Sequence, residues 1–161
     1  MTYTAYDPRE YIRQTVGTSK YLYDNDYYCV YVTDNNDDTV YIPLLFPYEA
    51  RTQEMFPMPF IELTMVVATG ETHNIGGDVR RDEFLIDFNL YFTETDNITP
   101  QTFEKSVLDY IYNKIVTNRY SISTCTFIEP MSSREIFELD DNKEVVFHYV
   151  ITCRSTRYQK S

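Results

Sequence analysis

Residues Phe60 to Phe92 constrain the fold more than any other stretch. Phe84, Ile86, Phe88, Leu90 and Phe92 alternate with Glu83, Asp87 and Asn89, while Ile61, Leu63, Met65 and Val67 alternate with Glu62 and Thr64. A period of two is the pattern of half-buried antiparallel strands, so two long strands are expected here, paired as a hairpin. The segment between them holds Gly70, Gly76 and Gly77, three of the chain's four glycines. Residues 69–82 therefore read as a loop too long for a tight turn, and a mobile one.

The rest of the chain reads as support for that hairpin. Asp7, Pro8 and Glu10 have the chemistry of a helix start, namely a capping carboxylate, a proline at the first position and an acid in the first turn. Tyr11, Ile12 and Val16 would face inward, and Gly17 would stop this short helix. Tyr27 to Val32 and Thr39 to Phe46 are β-prone, with Pro43 marking an edge or a bend. Together they make residues 20–46 a possible Tyr-rich hairpin insertion. Phe46 to Pro59, with three prolines, reads as an irregular crossing. Thr99 and Pro100 open an amphipathic helix running to Arg119, whose apolar face is Phe103, Val107, Tyr110, Ile111 and Ile115. That face is expected to cover Phe84, Ile86, Phe88 and Leu90. A break at Pro130 and a second hairpin follow, its arms Arg134 to Leu139 and Glu144 to Arg154. The last arm is apolar on both faces, as in a central strand. Residues 155–161, polar and basic, read as a loose tail. The expected fold is a single α+β domain over residues 1–161: an antiparallel sheet built on the long hairpin, one main amphipathic helix packed on it and a short N-terminal helix.

Composition narrows the function. The 161 residues carry 25 acids against 14 bases, a formal charge of −11. A phosphate backbone is gripped by clustered Lys and Arg, so direct nucleic-acid binding is disfavoured. Sixteen Tyr and ten Phe, with no Trp, suit strands and protein-contacting surfaces alike. Cys29, Cys125 and Cys153 are widely spaced and form no zinc-ligand array. The first residues lack the basic and apolar regions of a secretory signal, and no apolar run is long enough to span a bilayer.

Catalytic patterns are thin. Neither His73 nor His148 sits in a recognisable nucleophile or metal motif, and Gly76-Gly77 lacks the flanks of a nucleotide loop. His148, on a strand, reads as structural. Asp34, Asn36 and Asp38 have the spacing of a calcium loop, but Thr39 stands where its glycine belongs and Leu45 where its bidentate Glu belongs. Adjacent acids such as Asp82/Glu83 and Asp140/Asp141 fall on opposite faces of a strand and cannot flank one substrate bond. No cofactor and no metal are expected. Arg80-Arg81 beside Asp82-Glu83 is the sharpest charge feature, either a solvated loop base or an inter-subunit salt-bridge site.

The order of elements, with Val79-Arg80-Arg81-Asp82-Glu83-Phe84 entering the second arm, resembles the tail terminator (tail completion) proteins of long-tailed bacteriophages and related viruses. Tyr112-Asn113-Lys114-Ile115-Val116-Thr117-Asn118-Arg119, Ile128-Glu129-Pro130 and the last strand are further local likenesses. The resemblance covers roughly Asp7 to Arg154, although the Tyr-rich 20–46 segment is longer than the family pattern. It implies a non-enzymatic structural protein of the virion tail or neck, assembled in the host cytoplasm. Its partners would be other copies of itself in a ring, expected as a homohexamer, then the tail tube protein and the head–tail connector. The ring would stop tube polymerisation, and DNA would pass its lumen without specific binding. A neck stopper or adaptor between portal and tail is the nearest alternative, and a small-molecule-binding or enzymatic α+β domain a more distant one. Thr72, His73, Asn74, Ile75, Arg80 and Arg81 are the candidate assembly interface, with Ile75 the apolar residue of an otherwise polar loop.

Overall fold

A computed structural model of the chain describes residues 7–50, 56–72, 79–93, 109, 113, 120–121, 124–139 and 145–160. Over these residues the fold is α+β and mostly β. The elements are α1 (Pro8–Val16), β1 (Thr18–Leu22), β2 (Asn25–Thr33), β3 (Thr39–Leu45), α2 (Pro47–Ala50), β4 (Phe60–Thr72), β5 (Val79–Thr93), β6 (Tyr120–Ser121), β7 (Thr124–Leu139) and β8 (Val145–Lys160). The strands lie in the order β1-β2-β3-β4-β5-β8-β7-β6. No helix among the described residues is long and apolar enough to cross a membrane.

The sheet is mixed rather than antiparallel throughout, because β3 and β4 run parallel at Leu44↔Ile61 and Leu45↔Glu62. A parallel neighbour needs a crossover of about a dozen residues or more, and the proline-rich connection from Phe46 to Pro59 supplies that length. Pro43, which has no N–H to donate, pairs with Cys29 at the last position where β3 follows β2; the next residue, Leu44, already pairs with β4.

β4 and β5 pair antiparallel from Phe60↔Tyr91 to Thr72↔Arg80. The ladder thus includes Thr69 to Thr72 and Val79 to Asp82, which the sequence reading assigned to a loop; residues 73–78 between them lie outside the described set. β-Pairing is set by the backbone, and the polar residues here hid it because a ladder extending beyond its core no longer needs an apolar face. A bulge at Val66, itself 55% exposed, shifts the register so that Val67 pairs with Leu85 and Ala68 with Phe84. The simple alternation expected for Val67 therefore does not continue past Met65.

β8 lies between β5 and β7 and pairs with both. β7 is longer than the expected Arg134 to Leu139 arm, since it runs through Pro130 with a register shift between Pro130 and Ser132. A bulge tolerates the missing N–H of proline, so Pro130 bends the strand without ending it. The expected loose tail is likewise corrected. Ser155 to Lys160 continue β8, with Ser155 and Arg157 buried, because β5 and β7 supply backbone partners on both sides.

The main core lies on one face of the central strands, where Ile61, Leu63, Phe84, Ile86, Phe88, Leu90, Phe92, Tyr149, Ile151 and Cys153 cluster. Ile12 and Val16 of α1, with Val30, Val32, Ile42 and Leu44, join the same cluster, and Tyr11 packs against it. The helix expected over residues 99–119 lies outside the described residues apart from Asp109 and Asn113, which are helical and exposed. α1 begins as its sequence predicts, with Asp7 accepting a hydrogen bond from the Arg9 backbone N–H at 2.9 Å. Gly17 ends it for a different reason from the one expected. Its φ of −80° is open to any residue, but a Cβ there would lie 2.6 Å from the Arg13 carbonyl oxygen and 2.7 Å from Tyr28 Cβ. Close approach of helix to strand, not a left-handed turn, requires the glycine. Arg13 then binds the helix down, donating to Glu49 Oε1 at 3.0 Å and lying over the rings of Tyr28 and Phe46.

Candidate functional site

Of the six residues expected at an assembly interface, Thr72, Arg80 and Arg81 fall within the described structure, while His73, Asn74 and Ile75 lie outside it. Thr72 and Arg80 are directly paired across β4 and β5. Alternation along β5 sends Arg80 and Asp82 to one face and Arg81 and Glu83 to the other. Arg80 Nε donates to Asp82 Oδ1 at 2.9 Å, and Arg81 Nη2 donates to Glu83 Oε2 at 2.7 Å. Each arginine therefore meets an acid two residues along its own strand.

This charged ladder forms the far end of the sheet. Asp82 pairs with Arg157 on β8 and with Gly70 on β4. Gly70 has a local purpose, since a Cβ there would meet the Arg80 guanidinium and Asp82 Oδ1. Among the described residues, no member of either apolar cluster lies beyond Phe84 on β5 or beyond Cys153 on β8. The strands outrun their core by several residues and carry charge where they do.

The second polar constellation lies at the middle of the sheet, on the face opposite the main core. The sequence suggests a solvated face for Asp87 and Asn89, yet they are 9% and 8% exposed, and Glu62 and His148 are buried with them. Asn89 Nδ2 donates to Thr64 Oγ1 at 2.8 Å and to the Glu62 carbonyl oxygen at 3.2 Å. Its Oδ1 thus faces His148 Nε2 at 3.0 Å, which makes Nε2 the protonated ring nitrogen. The imidazole stacks on Tyr91 at 4.2 Å, and Tyr91 stacks on Phe60 at 5.0 Å. Thr152 Oγ1 donates to Asp87 Oδ1 at 2.6 Å, while exposed Arg134 lies 3.9 Å from Asp87 Oδ2.

These contacts join β4, β5 and β8 through side chains and hold one register. A slip of one residue would bring apolar groups against Asn89 and His148, leaving buried amide and imidazole groups without partners. Nothing in the sequence alone reveals the pair, because Asn89 and His148 meet only through the β5–β8 register. His148 is buried within the sheet, against Asn89 and Tyr91. No group of three or more His, Cys, Asp or Glu among the described residues could hold a metal ion. In the β2–β3 turn, Asp34 Oδ1 accepts from the backbone N–H groups of Asn36 and Asp38 at 2.8 and 2.9 Å, so this carboxylate caps its own turn.

The two described cysteines outside β7, Cys29 and Cys153, are free thiols with no exposed surface. Burial pushes Cys29 up to about 11 and Cys153 up to about 12, with the nearby Asp87 carboxylate adding to the latter. Neither is a nucleophile at neutral pH.

No protein-family model matches the chain, and no curated protein matches its sequence.

Proposed function

We propose that this chain is a non-enzymatic virion protein, a tail terminator that forms a homohexameric ring at the head-proximal end of a tail tube, stops the tube's growth and joins it to the head connector. The observation that carries this reading is the extension of β4, β5 and β8 beyond their core as a charged ladder. A strand extension that adds nothing to the apolar clusters is of small value to a lone domain, whereas a rigid charged edge gives a neighbouring subunit a preset pattern to meet. Arg80, Asp82, Arg81 and Glu83 are held in place by their own ion pairs, so docking there would order few further side chains. The formal charge of −11 suits a lumen that DNA passes without sticking.

Native mass spectrometry and light scattering of the full chain over a concentration series test the reading. The expected species has the mass of six protomers and is annular by electron microscopy. Charge reversal by the paired substitution Arg80→Glu and Arg81→Glu is expected to shift it towards monomer. A chain that remains monomeric at every concentration and in the presence of tail tubes overturns the proposal.

A further inference from the structure

One face of the meander β1–β3 joins the core through Val30, Val32, Ile42 and Leu44, but neither the core nor the ring reading explains its exposed tyrosines. Residues 21–50 hold seven of the 16 tyrosines and six acids, with no Lys or Arg at all. Several of these rings are not used for burial. On the face opposite α1, Tyr31 is 46% exposed and meets Tyr41 edge-on at 6.2 Å. Lys20, the sole base on the three strands, already lies 4.5 Å over the Tyr41 ring. On that face the Tyr41 ring therefore already accepts a cation.

The β1–β2 turn adds a second, independent feature. Tyr23 and Asp24 form a two-residue turn with φ of 52° and 65°, between Leu22 and Asn25. Such turns favour Asn and Gly, and a bulky residue at positive φ is strained. Tyr23 nevertheless occupies it, 53% exposed, with its ring edge-on to Phe56 at 5.3 Å. Phe56 in turn meets Tyr27 at 5.3 Å. Aromatic rings thus stand near both ends of this face, with Tyr27 and Phe56 also packing on the smaller apolar cluster of Leu45, Phe60 and Tyr91. Asp24 stands at one end, and Asp37 and Asp38 at the other, all exposed.

We infer that this face of β1–β3 is a docking surface for a basic protein segment, one rich in arginine. Ring faces and carboxylates together match a guanidinium, which stacks on the first and pairs with the second. Residues 21–50 carry no base, so within β1–β3 only Lys20, which lies over Tyr41, can compete for those carboxylates. The inference does not depend on the ring, since a monomer would present the same surface.

The test uses the full chain and a short fluorescein-labelled Arg-Ser repeat peptide, read by fluorescence anisotropy, with Lys-Ser and Glu-Ser repeats of equal length beside it. The Arg peptide is expected to bind, the Lys peptide to bind about three-fold more weakly, and the Glu peptide not at all. Combining Tyr31→Ser with Tyr23→Asn is expected to weaken the Arg peptide at least about ten-fold. Asn tolerates positive φ, so this variant keeps the turn, and its denaturation midpoint verifies the fold. Tyr21 is 69% exposed, but it pairs with Asp26 and lies on the other face. Tyr21→Ser is therefore expected to leave affinity within about two-fold of the parent. Equal losses from Tyr21→Ser and from the paired variant would reduce the effect to general charge attraction and overturn the inference. So would absence of Arg-peptide binding. A self-association that Tyr31→Ser abolishes, and that the Arg peptide does not compete with, would assign the face to a second copy and overturn it equally.

Discussion

The central ladder β4–β5–β8 and the meander β1–β3 are both sheets of paired strands, yet they spend their aromatic residues differently. In the ladder Phe60, Phe88 and Phe92 are fully buried, and even the polar face is closed over Asn89 and His148. In the meander Val30, Val32 and Ile42 face the core, while Tyr21, Tyr23 and Tyr31 remain in solvent. Phe has no polar atom to satisfy and suits a dry site, whereas Tyr keeps a wet hydroxyl at one end of an apolar ring. The comparison separates residues that stabilise from residues that are available for contact.

Truncation breaks the comparison most directly. Phe88→Ala is expected to cost about 3–5 kcal/mol, because it leaves a cavity in a core with no route to collapse. Tyr31→Ser, in the meander, is expected to stay within about 0.5 kcal/mol, as exposed positions do. Chemical denaturation of both variants measures the difference. Equal losses would mean that the meander's exposed rings are structural after all.

The same contrast explains what the sequence could disclose. Phe84 to Phe92 announce a strand because burial on one face imposes a period of two, and Asp7-Pro8 announces a helix because capping chemistry is local. The polar end of β4 and β5, by contrast, has no hydrophobic period to read, so its pairing is visible only in three dimensions. Pro130 and the basic residues after Cys153 misled for a related reason: local propensity argued for an end, but partners on both sides of β8 carried the strand onward. The parallel β3–β4 step and the Asn89–His148 contact depend on residues far apart in the chain. Of the candidate interface, the charges of Arg80 and Arg81 were legible, but their pairing with Asp82 and Glu83 required knowing that this stretch is a strand.

Breaking the polar face of the ladder should cost less than breaking its apolar face. Asn89→Ala removes the partner of His148 Nε2 and of Thr64 Oγ1 together. The expected loss is about 1–3 kcal/mol, the cost of a buried polar group left unmade. Asn89→Ala combined with His148→Phe should recover part of it, since no imidazole then remains to be satisfied. A double-mutant cycle with no coupling would show that the two side chains are adjacent without being energetically linked.

A smaller loss than either ladder face is expected at α1, which touches both regions through contacts with β2 and β4. Burial alone would raise the Asp7 carboxyl, but hydrogen bonds and the charge of Arg9 outweigh it and hold the group below its ordinary 3.8. A carboxylate depressed in the folded state contributes stability that is fully present above its unfolded value and is lost as pH falls through the folded one. Asp7→Ala is expected to cost about 1 kcal/mol at neutral pH, the usual value of an N-cap. The difference between variant and parent should shrink below about pH 4 and vanish once the parent's Asp7 is protonated. Thermal melts of the two proteins from pH 7 downward measure it. A gap that persisted undiminished into acid would assign the stabilisation to the neutral side chain's packing rather than to the charged cap. A gap that closes would make α1 a pH-sensitive clasp between a ladder built to stay shut and a meander built to be met.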